Sequence, residues 1–157
     1  MELAVVNYAN HNCHKYGSQV LYRAVKFAQE NDLDSDPEVL WHVITNAMVD
    51  QGSDMLVLAA VEKNKVHGHL LVRIVNNDGM LIALITQLAI DIKERDGREE
   101  TIQDGMAVIH NFAMSKNAKR VRCWAMNEKL VTMFTRFGFK PKDYVLMDIP
   151  LEVQNGE

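Results

Sequence analysis

Histidines and a cysteine at short spacing are the side chains that first suggest chemistry, because they could bind a metal ion. His11, Cys13 and His14 lie close together, and His67 and His69 lie two residues apart. Residues two apart on a strand project from the same face of a sheet, and imidazole nitrogen and thiolate sulfur are ligands that zinc prefers. Neither segment contains a complete ligand set at the spacing of a metal motif. We therefore expect no metal site, and surface positions for the two later histidines.

A charged segment at residues 93–104 is the second chemical feature. Its three bases and five acids are Lys93, Arg95, Arg98, Glu94, Asp96, Glu99, Glu100 and Asp104. The excess of carboxylates opposes the binding of an anion such as phosphate. Alternatively, Glu99 and Glu100 could complement the positive end of a helix dipole, with Thr101 as the capping residue.

The elements that would position these residues begin with two helices. Apolar residues recur every three or four positions from Ser18 to Gln29, which predicts a helix with one buried face. Ser35 or Asp36 can cap a second helix that has Pro37 at its first position and that ends at Gly52.

From Met55 the pattern is that of strands. Met55 to Val61 and Val66 to Val75 are apolar runs joined by a polar turn, and they predict an antiparallel hairpin. After an Asn-Asn-Asp-Gly turn, Met80 to Ile92 is apolar almost throughout, which predicts a central strand covered on both faces. The later predicted elements are a helix through Ile102 and Ala113 that ends near Asn117, a strand at Lys119 to Ala125, a helix at Asn127 to Phe137 and a strand at Tyr144 to Ile149.

This order of elements predicts the fold class. The central strand, the helix after it and the next strand form a β-α-β unit, so these two strands should be parallel. We predict an α/β (α+β) fold with a mixed, mostly antiparallel central sheet flanked by helices.

Composition limits the classes of partner. The chain has 157 residues, of which 48% are hydrophobic, so we expect one domain at residues 1–152 and a flexible tail at 153–157. The formal net charge of -4 argues against a nucleic acid partner or an anionic membrane surface. No run approaches the roughly 20 apolar residues of a membrane span, and Met1 to Asn10 lacks the features of a signal peptide. We expect a cytoplasmic protein with free thiols at Cys13 and Cys123.

Three segments of this sequence resemble the GCN5-related N-acetyltransferase (GNAT) superfamily. Ala118 to Arg122 is followed by Asn127-Glu128 and then by a Gly-Phe ending within Phe134 to Pro141. Leu88-Ala89-Ile90-Asp91 is similar to the end of the family's fourth strand. The resemblance extends from Met55 to Leu151, whereas the first 51 residues match in element order only.

The resemblance implies a site for acetyl-CoA where the fourth and fifth strands separate. Leu88 and Ile90 would provide backbone contacts at the strand end, and Asn127 would lie near the pantetheine. Arg95 takes the first position of the family's pyrophosphate loop, and Arg98 takes the first of its two glycine positions. Backbone amides at the start of a helix attract phosphate.

Two positions depart from the family pattern. The glycine positions hold Arg98 and Glu100, and Phe134 replaces the tyrosine whose hydroxyl can protonate the departing thiolate. For a general base the resemblance offers Gln87 or Asp91, and glutamine could only orient a water molecule. Asp91 is therefore the candidate catalytic residue.

The sequence is consistent with two functions. The first is an N-acyltransferase that moves acetyl from acetyl-CoA to an amine. The second is a catalytically inactive module of the same fold, without a cofactor, that acts as a structural or interaction protein in a homo-oligomer or a larger assembly such as a viral particle.

Overall fold

A five-stranded sheet is the centre of the first of two compact units, Met1–Trp124 and Ala125–Glu157. The computed structural model describes residues 1–7, 9, 12–31, 35–50, 53–91, 95–143 and 145–151, and only the backbone of 95 and 96. Its elements are β1 (Glu2–Val5), α1 (Asn12–Glu30), α2 (Pro37–Val49), β2 (Met55–Glu62), β3 (Lys65–Asn77), β4 (Met80–Ile90), α3 (Arg95–Ser115), β5 (Arg120–Cys123) and α4 (Glu128–Arg136).

The strands lie in the order β1-β2-β3-β4-β5, and only β4 and β5 are parallel. This confirms the predicted α+β class and its β-α-β unit. None of the described helices has the length and apolar character to cross a membrane. That the two units belong to one domain stays a prediction.

Tight turns fix the register of the β2-β3-β4 meander. Lys63 and Asn64 have φ of 49° and 65°, and Asp78 and Gly79 have φ of 51° and 90°. Two successive residues with positive φ form the turn whose twist matches that of a hairpin. At the second turn the Asn76 side chain accepts a hydrogen bond of 2.8 Å from the backbone N–H of Gly79.

Helices cover both faces of the sheet. On one face, α1 and α2 bury Val20, Ala24 and Ile44 against β2 and β3, where Val57 and Leu71 contribute. Alternate strand residues point the other way, towards α3. The cap of α2 is as predicted: Asp36 accepts from the backbone N–H of Glu38 at 2.9 Å, and Pro37 follows it. Gly52 lies outside the described residues.

Several element predictions differ from the structure. β1 was not predicted, because it is only four residues long and its partner strand is distant in sequence: Glu2 pairs with Val61. β4 ends at Ile90. The helix α3 begins at Arg95, well before Ile102. Its first turns were not predicted, because they are charged and lack apolar periodicity. The last predicted strand is absent from residues 145–151, and Tyr144 lies outside the described residues.

The segment 145–151 is instead exposed and apolar. Its large side chains have exposed fractions of 70% to 88%: Val145, Leu146, Met147, Ile149 and Leu151. An apolar run of this kind forms a strand only where a partner strand is available. No described residue pairs with this segment, and it remains extended chain.

Candidate functional site

A β-bulge interrupts β4 near the point where β5 ends. Leu71 of β3 faces Gln87, whereas the next residue, Val72, faces Ile85, so Thr86 is an additional residue on β4. β5 pairs with β4 only as far as Ile85. From Thr86 to Ile90, the side of β4 that faces away from β3 has no strand beside it among the described residues. We call this side the open edge of β4.

The backbone groups of two residues face the open edge. The N–H of Asp91 donates to the carbonyl of His67 on β3 at 2.8 Å. Successive residues of an antiparallel strand direct their backbone groups to opposite sides. Leu88 and Ile90 therefore direct their N–H and C=O groups to the open edge, while their partly buried side chains face α3.

The start of α3 follows the open edge in the chain. The first backbone N–H groups of a helix have no partner within the helix and carry partial positive charge. Arg95 is the first residue of α3, and Arg98 is exposed in the first turn. Thr101 is not a cap but a buried residue within the helix, and its hydroxyl donates to the carbonyl of Gly97 at 2.8 Å. Glu99 and Glu100 lie beyond the first turn.

Asp91, directly after β4, pairs with Arg23, a residue that no sequence motif marks. Its carboxylate lies 2.8 Å from the Arg23 guanidinium of α1, and its side chain is 62% exposed. Arg23 also donates to the carbonyl of His67 at 3.4 Å. The hydrophobic spacing of α1 gave no signal for this pair, because Arg23 lies beside the buried stripe. Asp91 thus combines a fixed position with access to solvent.

Gln87, the other candidate for the base, is engaged in the interior. Its Oε1 lies 2.8 Å from Nε2 of His69, and its Nε2 donates to the carbonyl of Ala24 at 3.2 Å. Both ends of the amide are therefore used, and Gln87 holds α1 against β3 and β4.

His69 is buried, which corrects its predicted surface position. Its side chain is held by Gln87, and Phe27 meets its ring edge-on at 5.7 Å between centroids. Burial lowers the pKa of His69 from 6.5 to about 4, although the hydrogen bond to Gln87 acts in the opposite direction. Because Gln87 Oε1 accepts, the neutral ring carries its proton on Nε2. The described residues contain no group of three metal-ligating side chains, and His11 lies outside them.

The low pKa of His69 predicts a loss of stability in mild acid. The unfolded chain binds a proton to this histidine below pH 6.5 and the folded chain only below about 4. Stability should therefore fall as the pH drops through this window, by about 2 kcal/mol between pH 7 and 5. Urea unfolding of the wild type and of His69→Leu at both pH values measures the difference. An equal loss in the variant would contradict the assignment to His69.

Cys123 lies where the two parallel strands separate, since it pairs with Ile85 at the last position of the ladder. Its side chain is partly buried, and this burial raises the pKa of the thiol from 9.0 to about 11. A thiol is nucleophilic only as the thiolate. Cys123 therefore remains protonated at neutral pH and is unsuited to covalent catalysis.

The second unit contains Asn127 and Phe134. The Asn127 side chain caps α4 by accepting from the N–H of Leu130 at 3.0 Å. Phe134 is buried and meets Phe139 edge-on, with ring centroids 5.1 Å apart. Gly138 has a φ of 89°, which explains the glycine of the Gly-Phe ending because other residues rarely adopt this conformation. These local roles account for Asn127 and Phe134 without a ligand.

A small apolar cavity lies between α3 and the sheet. Leu88 and Ile90 line it from β4, and Leu58 and Leu70 line it from β2 and β3. Gly105 lines it from α3. The side chains that bound the cavity are thus almost entirely hydrocarbon, and two of them belong to the residues at the open edge.

Several solved structures described as acetyltransferases share this arrangement. One described as a "probable acetyltransferase" has 12% identity and a TM-score of 0.69, with 98% of this chain and 100% of that chain covered. A "predicted acetyltransferase with acetyl-CoA" from Clostridium acetobutylicum has 17% identity and a TM-score of 0.64, with 94% of each chain covered. An aminoglycoside acetyltransferase from an uncultured soil metagenomic sample has 14% identity and a TM-score of 0.65, with 97% and 100% covered.

No family model and no curated protein matches the chain. The mostly antiparallel five-stranded sheet and the described helices match the fold of these structures. At such low identity the likeness extends to the fold and not to the substrate. The chain has the fold of the GCN5-related N-acetyltransferases.

Proposed function

We propose that this protein binds acetyl-CoA or a related acyl-CoA at the open edge of β4 and transfers the acyl group to an amine. The observation that carries the proposal is the pair of backbone positions, Leu88 and Ile90, whose hydrogen-bonding groups face a side of β4 that has no strand beside it in the part of the chain that the structure describes. Unpaired backbone groups at a strand edge bind extended chains that carry amides. The Clostridium acetobutylicum structure with acetyl-CoA supports this choice of ligand.

The residues at the site fit an acyl-CoA in part. Leu88 and Ile90 would hold the amides of the pantetheine arm, and the start of α3 would hold the phosphates with help from Arg95 and Arg98. Glu99 and Glu100 oppose this binding, by on the order of 1 kcal/mol for each carboxylate about 4 Å from a phosphate in water. The proposal therefore implies weaker binding than a glycine loop would give.

Asp91 is the residue that we propose as the general base. When bound, an acyl-CoA supplies a thioester, an activated acyl group that an amine can attack with release of the thiol. Asp91 lies next to the open edge, and its exposed carboxylate can accept the proton that the amine loses as its nitrogen forms the new bond. Phe134 has no proton to give, so we propose that solvent protonates the departing thiolate.

Thermal unfolding with and without acetyl-CoA tests the binding step. Ligand at 100 times its dissociation constant should stabilise the protein by about 2.7 kcal/mol, which raises the melting temperature measurably. Ile90→Pro should abolish this rise, because proline lacks the N–H that faces the open edge, whereas Ile90→Val retains it. If the wild type shows no rise at millimolar acetyl-CoA, the proposed function is wrong.

One observation favours the second function, an interaction module without catalysis. The segment 145–151 exposes five large apolar side chains, and such surfaces occur at contacts with other proteins. A binding partner would cover this segment and protect it from proteases. Light scattering at increasing concentration, combined with the acetyl-CoA melting experiment, separates the two functions. Self-association without any ligand effect would favour the module.

A further inference from the structure

Three arginines lie on one face of the strands β3, β4 and β5. Arg73 of β3 pairs with Leu84 of β4, and Leu84 pairs with Arg122 of β5. Arg120 lies two residues before Arg122 in β5. Paired residues of neighbouring strands project from the same face of a sheet, as do residues two apart on one strand. We call Arg73, Arg120 and Arg122 the arginine cluster.

The charge of the arginine cluster is not balanced within the sheet. The strands β3, β4 and β5 contain no acidic residue, although the whole chain has 21 aspartates and glutamates against 17 lysines and arginines. None of the three arginines forms an ion pair with another residue in the part of the chain that the structure describes. Arg73 and Arg120 are exposed, and Arg122 is partly exposed. The cluster is therefore suited to an anionic ligand.

Asp91 lies on the same side of the sheet as the arginine cluster. Leu71, two residues before Arg73 in β3, packs in the core with α1 and α2, so Arg73 also projects towards the side of these helices. The carboxylate of Asp91 contacts Arg23 of α1 at 2.8 Å, which places it on this side as well. A ligand on this face can therefore meet both the cluster and the proposed base.

The separation between Asp91 and the arginine cluster limits the size of a ligand that reaches both. Leu84 has an arginine beside it on each neighbouring strand, and the bulge residue Thr86 lies between Leu84 and Asp91. A strand rises about 3.3 Å per residue, so Leu84 and Asp91 are roughly 20 Å apart, a distance that an extended peptide of about six residues spans. A small amine cannot contact both groups, whereas a peptide can.

We propose that the acceptor in acyl transfer is an acidic peptide segment, with its amine at Asp91 and its carboxylates on the arginine cluster. The inference rests on the proposed function, because Asp91 must act as the base. The peptide nitrogen forms the bond to the acyl carbon as the carbon–sulfur bond breaks, Asp91 takes the proton of the amine, and solvent protonates the thiolate. Arginine presents two parallel N–H groups to a carboxylate, which favours glutamate and aspartate side chains.

Fluorescence anisotropy with two peptides of about ten residues tests the inference, since this length spans both groups. Each peptide has a free amino terminus and a label at its other end. One has a glutamate for each arginine in its second half, and the other has glutamines there. An exposed arginine–carboxylate pair tightens binding by up to about fivefold, so the glutamate peptide should bind about tenfold more tightly. This difference should shrink in concentrated salt, which screens exposed charges.

Charge reversal identifies the residues responsible. Arg73→Glu combined with Arg122→Glu should abolish the preference for the glutamate peptide and create a preference for a lysine peptide. Lys65→Gln is the matched control, because Lys65 is an exposed cation at the start of β3 and its loss should leave the preference unchanged. Should the double variant fail to fold, Arg73→Gln and Arg122→Gln should each reduce the preference by up to about fivefold.

The outcomes separate this inference from the proposed function. Equal binding of the glutamate and glutamine peptides, together with a rise in melting temperature in acetyl-CoA, would overturn the inference and leave the proposed function standing. An RNA oligonucleotide that binds more tightly than the glutamate peptide, and that loses affinity on the same charge reversal, would also overturn it. If the glutamate peptide is preferred but acetyl-CoA causes no rise, the proposed function is wrong and the acceptor role fails with it.

Discussion

Asp91→Asn is expected to lower the rate of acyl transfer to an amine about a hundredfold, with little change in acyl-CoA binding. Asparagine has the shape of aspartate but cannot accept the proton of the attacking amine. The loss of the pair with Arg23 should matter little for stability, because the Asp91 side chain is 62% exposed and solvent screens the interaction. Thiol release from a saturating acyl-CoA, with a panel of primary amines, measures the rate.

Asp54→Asn is the matched control for this experiment. Asp54 is also exposed and paired, with Lys116 at 3.7 Å, but it precedes β2 rather than following β4. The control should transfer at the wild-type rate. Equal rates for the wild type and Asp91→Asn, in a protein that does transfer, would remove Asp91 from the mechanism.

Gly68→Val should reduce the free energy of unfolding by about 1–3 kcal/mol, as overpacking of a close-packed interior does. A Cβ at Gly68 would lie 2.9 Å from the backbone oxygen of Ala89 and 3.2 Å from Cα of Ile90. Backbone atoms cannot retreat as a flexible side chain can, so β3 and β4 would have to separate locally. Urea unfolding at neutral pH measures the change in midpoint.

Gly105→Ala is the control for a glycine that is buried but not crowded, with no contact closer than 3.8 Å. It should be neutral or stabilising, since alanine favours the helix. A Gly68→Val protein as stable as the wild type would show that β3 and β4 can move apart at this point without cost. The same variant should also disturb the open edge, because Gly68 faces Ile90 in the ladder.

Local signals in the sequence predicted the elements that depend on neighbouring residues. Asp36 with Pro37 marked the start of α2, and the turn at Asp78-Gly79 marked the hairpin before β4. The fold class followed from the order of these elements, and the structure confirms it. β4 was recognisable because a strand covered on both faces is apolar throughout.

The features that depend on distant partners could not be predicted in the same way. The bulge at Thr86 appears only in the register between β3 and β4, and nothing in the residue types near it marks an additional residue. His69 has the alternation of a strand residue, but its burial depends on Gln87 and Phe27, which come from two other elements. The early start of α3 at Arg95 and the absence of a strand at residues 145–151 show the same limitation, because the charge and hydrophobicity of a segment do not reveal which other elements pack against it.

The residues of the candidate site were predicted through resemblance, and their roles stay a prediction. Leu88 and Ile90 were singled out through resemblance, and the structure shows a physical reason for considering them, since their backbone groups face an edge without a strand. Whether they hold an acyl-CoA stays a prediction. The Arg23 pair and the cavity at Gly105 were missed because each joins residues from separate elements.

The exposed segment 145–151 also has consequences for how the protein behaves in concentrated solution. Short apolar stretches in extended chain are the places where copies of a protein stack into intermolecular sheets. Asp148 interrupts the stretch with a charge, and Pro150 lacks the N–H that a growing sheet requires. These two residues act as gatekeepers against precipitation, and they leave Val145 to Met147 as the one uninterrupted apolar run within the segment.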